Sequence, residues 1–354
     1  MSNPGCQVLL ELRGEQAPAP ERDGEIRLFS KCRNEQLRLP AFLRHYRELG
    51  VDRFYIADNG SSDGSLEYLR AQPDVRLFST DGGFRKARGG TDWLNAMLAR
   101  FGVGHWCVTV DVDELFVFPG SETVRLPALT RYLDDRGAEA MQCLLLDMYP
   151  GVPLNEARYS PGDDLVEAAP FFDPGPYDRF PHAECPGVRI YGGVRERVFY
   201  PESYAHDLRR KLHVALYHRL LLSLPVAKSN ERVLAHKPLI PPCLTKVPLV
   251  RWDATTEYLN VNHFVSPRNL AEESGVLLHF KFLQDFHERA VREAARGEYY
   301  DGAVEFRRYS AKLRENPNMT LRYQQSTRFR DSAELVRLGL LADTPAWAEA
   351  RATG

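Results

Sequence analysis

The chain has 354 residues, 44% of them hydrophobic and 27% charged, with a net charge of −2. That composition gives a globular protein with ample core, and it excludes the strongly basic surface that nucleic acid demands. The six cysteines, Cys6, Cys32, Cys107, Cys143, Cys185 and Cys243, form no Cys-x-x-Cys pair. Three of them (Cys32, Cys107, Cys143) sit in apolar runs, which fits a reducing cytoplasm better than a disulfide scaffold. The run Gln7 to Leu12 is too short for a signal peptide, and no window approaches 18 uncharged apolar residues. The richest stretch, Leu212 to Ala227, is broken by His213, His218 and Arg219 and reads at most as a buried or interfacial helix.

After a loose Gly- and Pro-rich lead-in over 1–25, Ile26 to Cys32 reads as a strand that ends on Arg33-Asn34-Glu35. Leu39, Phe42, Leu43, Tyr46 and Leu49 recur at helical spacing, with Pro40 in the first turn and Gly50 as the stop. A second strand, Phe54 to Ala57, ends on Asp58-Asn59-Gly60-Ser61-Ser62-Asp63-Gly64, and a helix around Ser65 to Ala71 follows. The spacing then predicts a strand at Val75 to Ser79, a helix around Asp92 to Phe101, and a strand from Cys107 to Val110. That last strand runs into Asp111-Val112-Asp113-Glu114. Alternation puts Asp111 and Asp113 on one side, about 6–7 Å apart, where they repel unless a cation intervenes. An oxygen-loving divalent ion, Mg²⁺ or Mn²⁺, answers that need; a solvated acidic turn is the alternative. Alternating strands and helices argue for a doubly wound, mostly parallel α/β sheet, with the three polar loops converging beyond the strand carboxyl ends.

A further strand, Met141 to Leu146, ends on Asp147. The segment 151–275 is dense in Pro and Gly and reads as loops and short strands over the sheet edge. Val276 to Leu283 reads as a strand that puts His279 and Lys281 on one face, opposite Leu278, Phe280 and Phe282. His279 is thus a candidate third metal ligand, or else a histidine bonded within the domain, and Lys281 a candidate cation for a diphosphate. Neutral imidazole suits Mn²⁺ better than Mg²⁺. Alternation also puts Arg195 and Arg197 together, for phosphate recognition or for a salt bridge to a nearby carboxylate. Helices are expected around Gln284–Arg296, Gly302–Glu315 and Ser332–Leu341; their slight basic excess suits a solvated surface or weak contact with an anionic membrane.

Arg33-Asn34-Glu35, Asp58 to Gly64 and Asp111-Val112-Asp113-Glu114 together resemble the family 2 glycosyltransferases of GT-A fold. The branch with Leu-x-x-His-x-x-x-Gly-Val-Asp-x-Phe is the nearest, matched here by Leu43 to Phe54. Gly192 to Phe199, Lys246 to Trp252 and Leu277 to Phe282 are also similar to that branch. The likeness runs over about 26–340, which would form one domain: a nucleotide-sugar-binding half (26–150), an acceptor-side region (151–275), and a strand with C-terminal helices that completes the metal site (276–354). The resemblance implies that Asn34 and Glu35 lie near base and ribose and that Asp58 holds the base. Asp111 would reach ribose or metal-bound water, and Asp113 would ligate the ion. It also implies an inverting transfer from a UDP- or GDP-linked sugar to a glycan or lipid-linked acceptor. The general base is open: Asp147 is the first expectation, with Asp178, Glu184 and Asp207 as rivals. Two alternatives stand beside this reading. One is a catalytically silent glycan-binding relative. The other is a haloacid-type phosphatase, whose Asp-x-Asp comes early, whereas about 80 residues of strand–helix pattern precede it here.

Overall fold

The computed structural model of the chain describes residues 10–12, 21–182, 185–203 and 240–353. In chain order its first half contains β1 (Leu10–Leu12), β2 (Arg27–Cys32), α1 (Leu39–Leu49), β3 (Arg53–Asp58), α2 (Ser65–Arg70), β4 (Val75–Ser79), α3 (Thr91–Phe101) and β5 (Trp106–Thr109). There follow β6 (Glu114–Val117), α4 (Leu126–Asp135), β7 (Ala140–Asp147), α5 (Leu165–Ala168), β8 (Phe171–Phe172), β9 (Tyr177–Pro181) and β10 (Val188–Gly192). After a π-helical turn at Arg195–Phe199 come β11 (Thr245–Arg251), β12 (Tyr258–Asn260), β13 (Phe264–Val265) and β14 (Gly275–His279). The C-terminal part holds α6 (Phe286–Arg296), α7 (Tyr300–Glu315), β15 (Thr327–Arg328), α8 (Ser332–Arg337) and α9 (Pro345–Thr353).

Among the described residues a nine-stranded sheet forms in the order β1-β4-β3-β2-β5-β11-β7-β14-β6. β2, β3, β4, β5, β7 and β14 run one way; β1, β11 and β6 run against them. The α/β expectation of a mostly parallel sheet therefore holds. Alternate residues of one strand enter different cores: Leu28, Phe54 and Ile56 join one cluster, Phe29, Tyr55 and Ala57 another. Both sheet faces are thus covered, as strands joined by helical crossovers require. A third core, built on Phe199, Phe282, Phe286 and Tyr309, lies under α6 and α7.

The first five predicted elements are found within a residue or two of their expected bounds. α1 buries Leu39, Phe42, Leu43, Tyr46 and Leu49, and Gly50 caps it at φ 101°. A side chain at Gly50 would meet Pro127 Cδ at 2.9 Å, so both the backbone and the space require glycine. His45 of the same helix lies with Nε2 3.0 Å from the Phe116 carbonyl, a bond that ties α1 to β6.

The middle of the chain departs from expectation. Residues 151–275 are not all laid over the sheet: β11 sits inside it, hydrogen-bonded to β5 and β7. Pro248 disguises this strand, because proline removes a ladder donor. The pairing with β7 shifts register between Lys246 and Leu249, and the shift brackets that proline. Residues Arg195–Phe199 form a π-helical turn rather than a strand, so the two arginines diverge. α4 belongs to no predicted element, although Leu126, Leu129 and Leu133 bury one face behind Pro127.

Candidate functional site

The acidic motif is a turn, not a strand edge. β5 ends at Thr109 and β6 begins at Glu114, so Asp111-Val112-Asp113 make the connection. Its ends close on each other: Glu114 N donates to the Asp111 carbonyl at 3.0 Å, and Asp111 N donates to Glu114 Oε2 at 3.0 Å. Tyr46 clamps the outgoing strand, donating from its hydroxyl to the Glu114 carbonyl (2.9 Å) while accepting from Phe116 N (3.1 Å). Ser30 on β2 donates to the Val110 carbonyl at 2.7 Å. Both aspartates still line one cavity, but each faces its own partners.

Asp111 is gripped by two ammonium groups, Lys31 from β2 and Lys246 (3.2 Å) from β11. Burial would raise its pKa, but the two lysines outweigh that and hold the carboxyl well below its usual range. Lys246, itself buried, also bonds Glu114 Oε1 (2.8 Å) and Asn262 Oδ1 (2.6 Å). Asp111 therefore acts as an anchor for lysines, and the expectation that it shares a metal ion does not suit its engaged oxygens. Asp113 differs. Its Oδ2 lies 3.4 Å from His279 Nε2 and 3.4 Å from Arg289 Nη1, both longer than a close charge-assisted hydrogen bond.

Sheet register builds the rest. On β14, His279 stands opposite Asp147 of β7 on one side and Glu114 of β6 on the other. His279 Nδ1 is 2.6 Å from Asp147 Oδ1, which leaves Nε2 toward Asp113. Asp147 is held in turn by both arms of Arg195, at 2.8 Å each. Burial opposes charge on Asp147, yet Arg195 and His279 keep its carboxyl low; on His279 the carboxylates Asp113 and Asp147 outweigh burial and raise the ring. Among the described residues, Asp113, Glu114 and His279 offer ligand atoms that all lie within 4.8 Å of one another. Two carboxylates and one imidazole suit Mn²⁺. A carboxylate behind the imidazole is the usual support of a metal-bound histidine. Glu114 is absent from the expected ligand set, and with Lys246 on one oxygen it is the least available of the three.

The cavity has a volume of about 660 Å³, enough for a nucleotide-sized ligand. Its wall carries Lys31, Arg33, Arg85, Arg88, Lys246, Lys281, Arg289 and Arg296 against Glu35, Asp111, Asp113 and Glu298, a positive excess suited to phosphate. Phe84 and Tyr299 add a flat apolar side, with ring centroids 5.0 Å apart. Glu35 bonds Arg289 (2.9 Å) and Arg38 (3.2 Å); burial outweighs both arginines and lifts its carboxyl to about 7. Arg38, fully buried, also takes Asp285 at 2.8 and 2.7 Å and the Phe280 carbonyl at 3.0 Å. Lys281 lines the wall as expected and pairs with Glu305 at 2.8 Å.

Other predicted residues have different places. Asn34 and Asp58 are not on the cavity wall. Asp58 Oδ2 accepts from Ser61 N (3.0 Å) and Asn34 Oδ1 from Ser62 N (2.8 Å), so both hold the Asp58 to Gly64 loop against the end of β2. Asp147 lies behind His279 with both oxygens in use, so it is badly placed to take a substrate proton. Arg197 faces away from Arg195 and bonds both oxygens of Asp173, at 2.9 and 3.0 Å. Asp178 lies on β9, in the short hairpin with β10. Glu184, Asp207 and the run Leu212 to Ala227 fall outside the described residues. Lys31, Lys246 and Arg289 were hidden as charges inside a strand, a quoted motif and a charge-rich helix. Among the described residues no helix is long and apolar enough to cross a membrane.

No protein-family model matches the chain. Over 131 residues it is 27% identical to a glycosyltransferase family 92 protein of Ricinus communis, covering 34% of this chain and 21% of that protein. The chain thus spans about a fifth of the length of the curated relative it matches. Among solved structures it resembles 4-diphosphocytidyl-2C-methyl-D-erythritol synthase, at 19% identity over 41% of this chain and 68% of that one, with a TM-score of 0.24. The likeness in sequence is to a glycosyltransferase, over a third of the chain.

Proposed function

We propose that the protein is a metal-dependent glycosyltransferase that moves a sugar from a UDP- or GDP-linked donor to a hydroxyl of a glycan or lipid-linked acceptor. The observation that carries this reading is His279. Asp147 fixes its Nδ1, its Nε2 faces Asp113 across a gap of 3.4 Å, and both line a cation-rich cavity of nucleotide size. Asp113 and His279 would hold Mn²⁺ or Mg²⁺, with Glu114 beside them. The ion supplies positive charge to the departing diphosphate. Lys31, Lys246 and Lys281 add fixed charge around the same leaving group, in a site where burial strengthens it. Arg38 and Arg289 hold Glu35 at the cavity wall, where it can accept from a ribose hydroxyl. The family 2 resemblance and the family 92 similarity agree on sugar transfer; inversion rests on the former.

The test is a panel of UDP- and GDP-sugars with and without Mn²⁺, read as thermal stabilisation and as release of UDP or GDP. Stabilisation that requires both ligands is expected, since phosphate oxygens complete the ion's shell. Binding without turnover would favour the silent glycan-binding alternative. Phosphate release from a simple phosphomonoester, with no response to nucleotide sugars, would refute sugar transfer.

A further inference from the structure

Transfer to a hydroxyl needs a group that takes the acceptor proton. Three cavity carboxylates already have tasks: Asp111 anchors Lys31 and Lys246, Asp113 is assigned to the ion, and Glu35, held by Arg38 and Arg289, is assigned to the ribose. Glu298 accepts from Arg85 N at 3.1 Å. His263 is different. It lies in the tight link between β12 and β13, where Val261 sits at φ 44° and its N–H donates to Thr91 Oγ1 at 2.8 Å. Next to it, Asn262 donates to the Thr109 carbonyl at 2.8 Å and accepts from Lys246 at 2.6 Å. This hairpin is therefore bolted to the strand that leads into the acidic turn. His263 lines the cavity, and its Nδ1 lies 2.6 Å from the Thr245 carbonyl. A carbonyl oxygen can only accept, so Nδ1 carries the hydrogen and Nε2 keeps its lone pair. Among the described residues Nε2 has no hydrogen-bond partner.

We propose that His263 Nε2 is the general base of the transfer, an inference that rests on the glycosyltransferase reading above. The acceptor hydroxyl loses its proton to Nε2 as its oxygen forms a bond to the anomeric carbon. The bond from that carbon to the diphosphate oxygen breaks, and its electron pair leaves with the nucleoside diphosphate. The ring then passes its proton to water in the cavity. Burial, with Lys246 adding to it, pushes the ring down to about 3, so it is neutral before substrate arrives. A bound diphosphate would answer the charge of Lys246, the smaller of these two causes, and so restore part of the ring's basicity.

His263→Asn keeps a donor for the Thr245 carbonyl and removes the basic nitrogen. With the UDP- or GDP-sugar that the panel identifies, and water or octyl glycosides as acceptors, turnover should fall about 10²-fold or more. Donor affinity with Mn²⁺ should stay within about twofold, and the melting temperature should hold. His263→Ala should regain turnover with added imidazole, and more with imidazoles of higher pKa, which a structural role would not allow. Turnover of His263→Asn within about threefold of the parent overturns the proposal. So does the absence of imidazole rescue, or a comparable loss in Glu298→Gln with His263→Asn active. If the unaltered protein neither binds nor turns over any nucleotide sugar, the glycosyltransferase reading has failed, and this inference falls with it.

Discussion

Arg195→Met is the sharpest probe of how the histidine is prepared. The guanidinium makes two bonds to Asp147, and the paired side chains are only 5% and 3% exposed. Methionine preserves most of the stem's packing, so the loss is mainly that of charge. Removing one partner of a buried pair strands the other and costs about 3–5 kcal/mol. In a chain of this size that is a drop in melting temperature of roughly 4–7 °C. Asp147 would then face His279 alone and draw a proton onto the ring, which takes the Nε2 lone pair from a metal ion. Mn²⁺ affinity in the presence of UDP or GDP should fall about 10–100-fold, as for other losses of outer support. Calorimetric titration and thermal melts measure the two effects separately. The double variant Arg195→Met/Asp147→Leu should recover part of the stability, because no charge is left unpaired, and none of the metal affinity. A single variant that melts within about 2 °C of the parent and binds Mn²⁺ normally would refute the reasoning.

Asp113→Asn and His279→Ala should each weaken Mn²⁺-dependent donor binding, and the double variant should lose little more than the worse single one, because both act through one ion; additive losses would place them on separate tasks. Far from the site, Glu25 bonds Arg53 at 3.2 Å and Arg27 at 3.3 Å. Burial would raise Glu25, but the hydrogen bond from Arg53 and its neighbours leave the carboxyl lowered. A lowered carboxylate contributes stability that is full above its unfolded value near 4.3 and is lost as pH falls through the folded one. Glu25→Gln should therefore be less stable than the parent at pH 7, with the gap narrowing below about pH 4 in denaturant titrations; a gap constant across that range would contradict the pairing.

The units from β2 to β5 were legible because each is local: an apolar run, a stop, an amphipathic helix with its own end signal. The site was legible only in outline. Asp113, His279 and Lys281 could be aligned by strand endings. Their charge states depend on Arg195, Arg289 and Glu305, which register and helix packing bring from far along the chain. Asp147 shows the limit clearly. Its position at a strand end was readable, but the arginine that occupies it lies 48 residues away in a turn of unusual helical pitch. β11 was missed because Pro248 imitates a loop, and Lys246 was missed with it. His263 sits in a short link with no periodicity, where only the Thr245 carbonyl fixes which nitrogen is basic.

The placement of β11 bears on the order in which the chain can assemble. β5 and β7 do not pair with each other; each pairs with β11, whose Leu249 meets Val108 across an interval of roughly 140 residues. At about 5–20 residues per second of synthesis, the β5 edge would wait on the order of ten seconds or more for its partner. During that wait a buried-type strand exposes unpaired backbone, a hazard for edge-to-edge association. The cation that bridges Asp111 and Glu114 arrives on the same strand, so until the sheet closes only Lys31 answers the charge of the acidic turn. Nascent chains stalled before residue 251 should therefore depend on holding factors, and refolding from denaturant should be limited by insertion of this one strand rather than by formation of the earlier units.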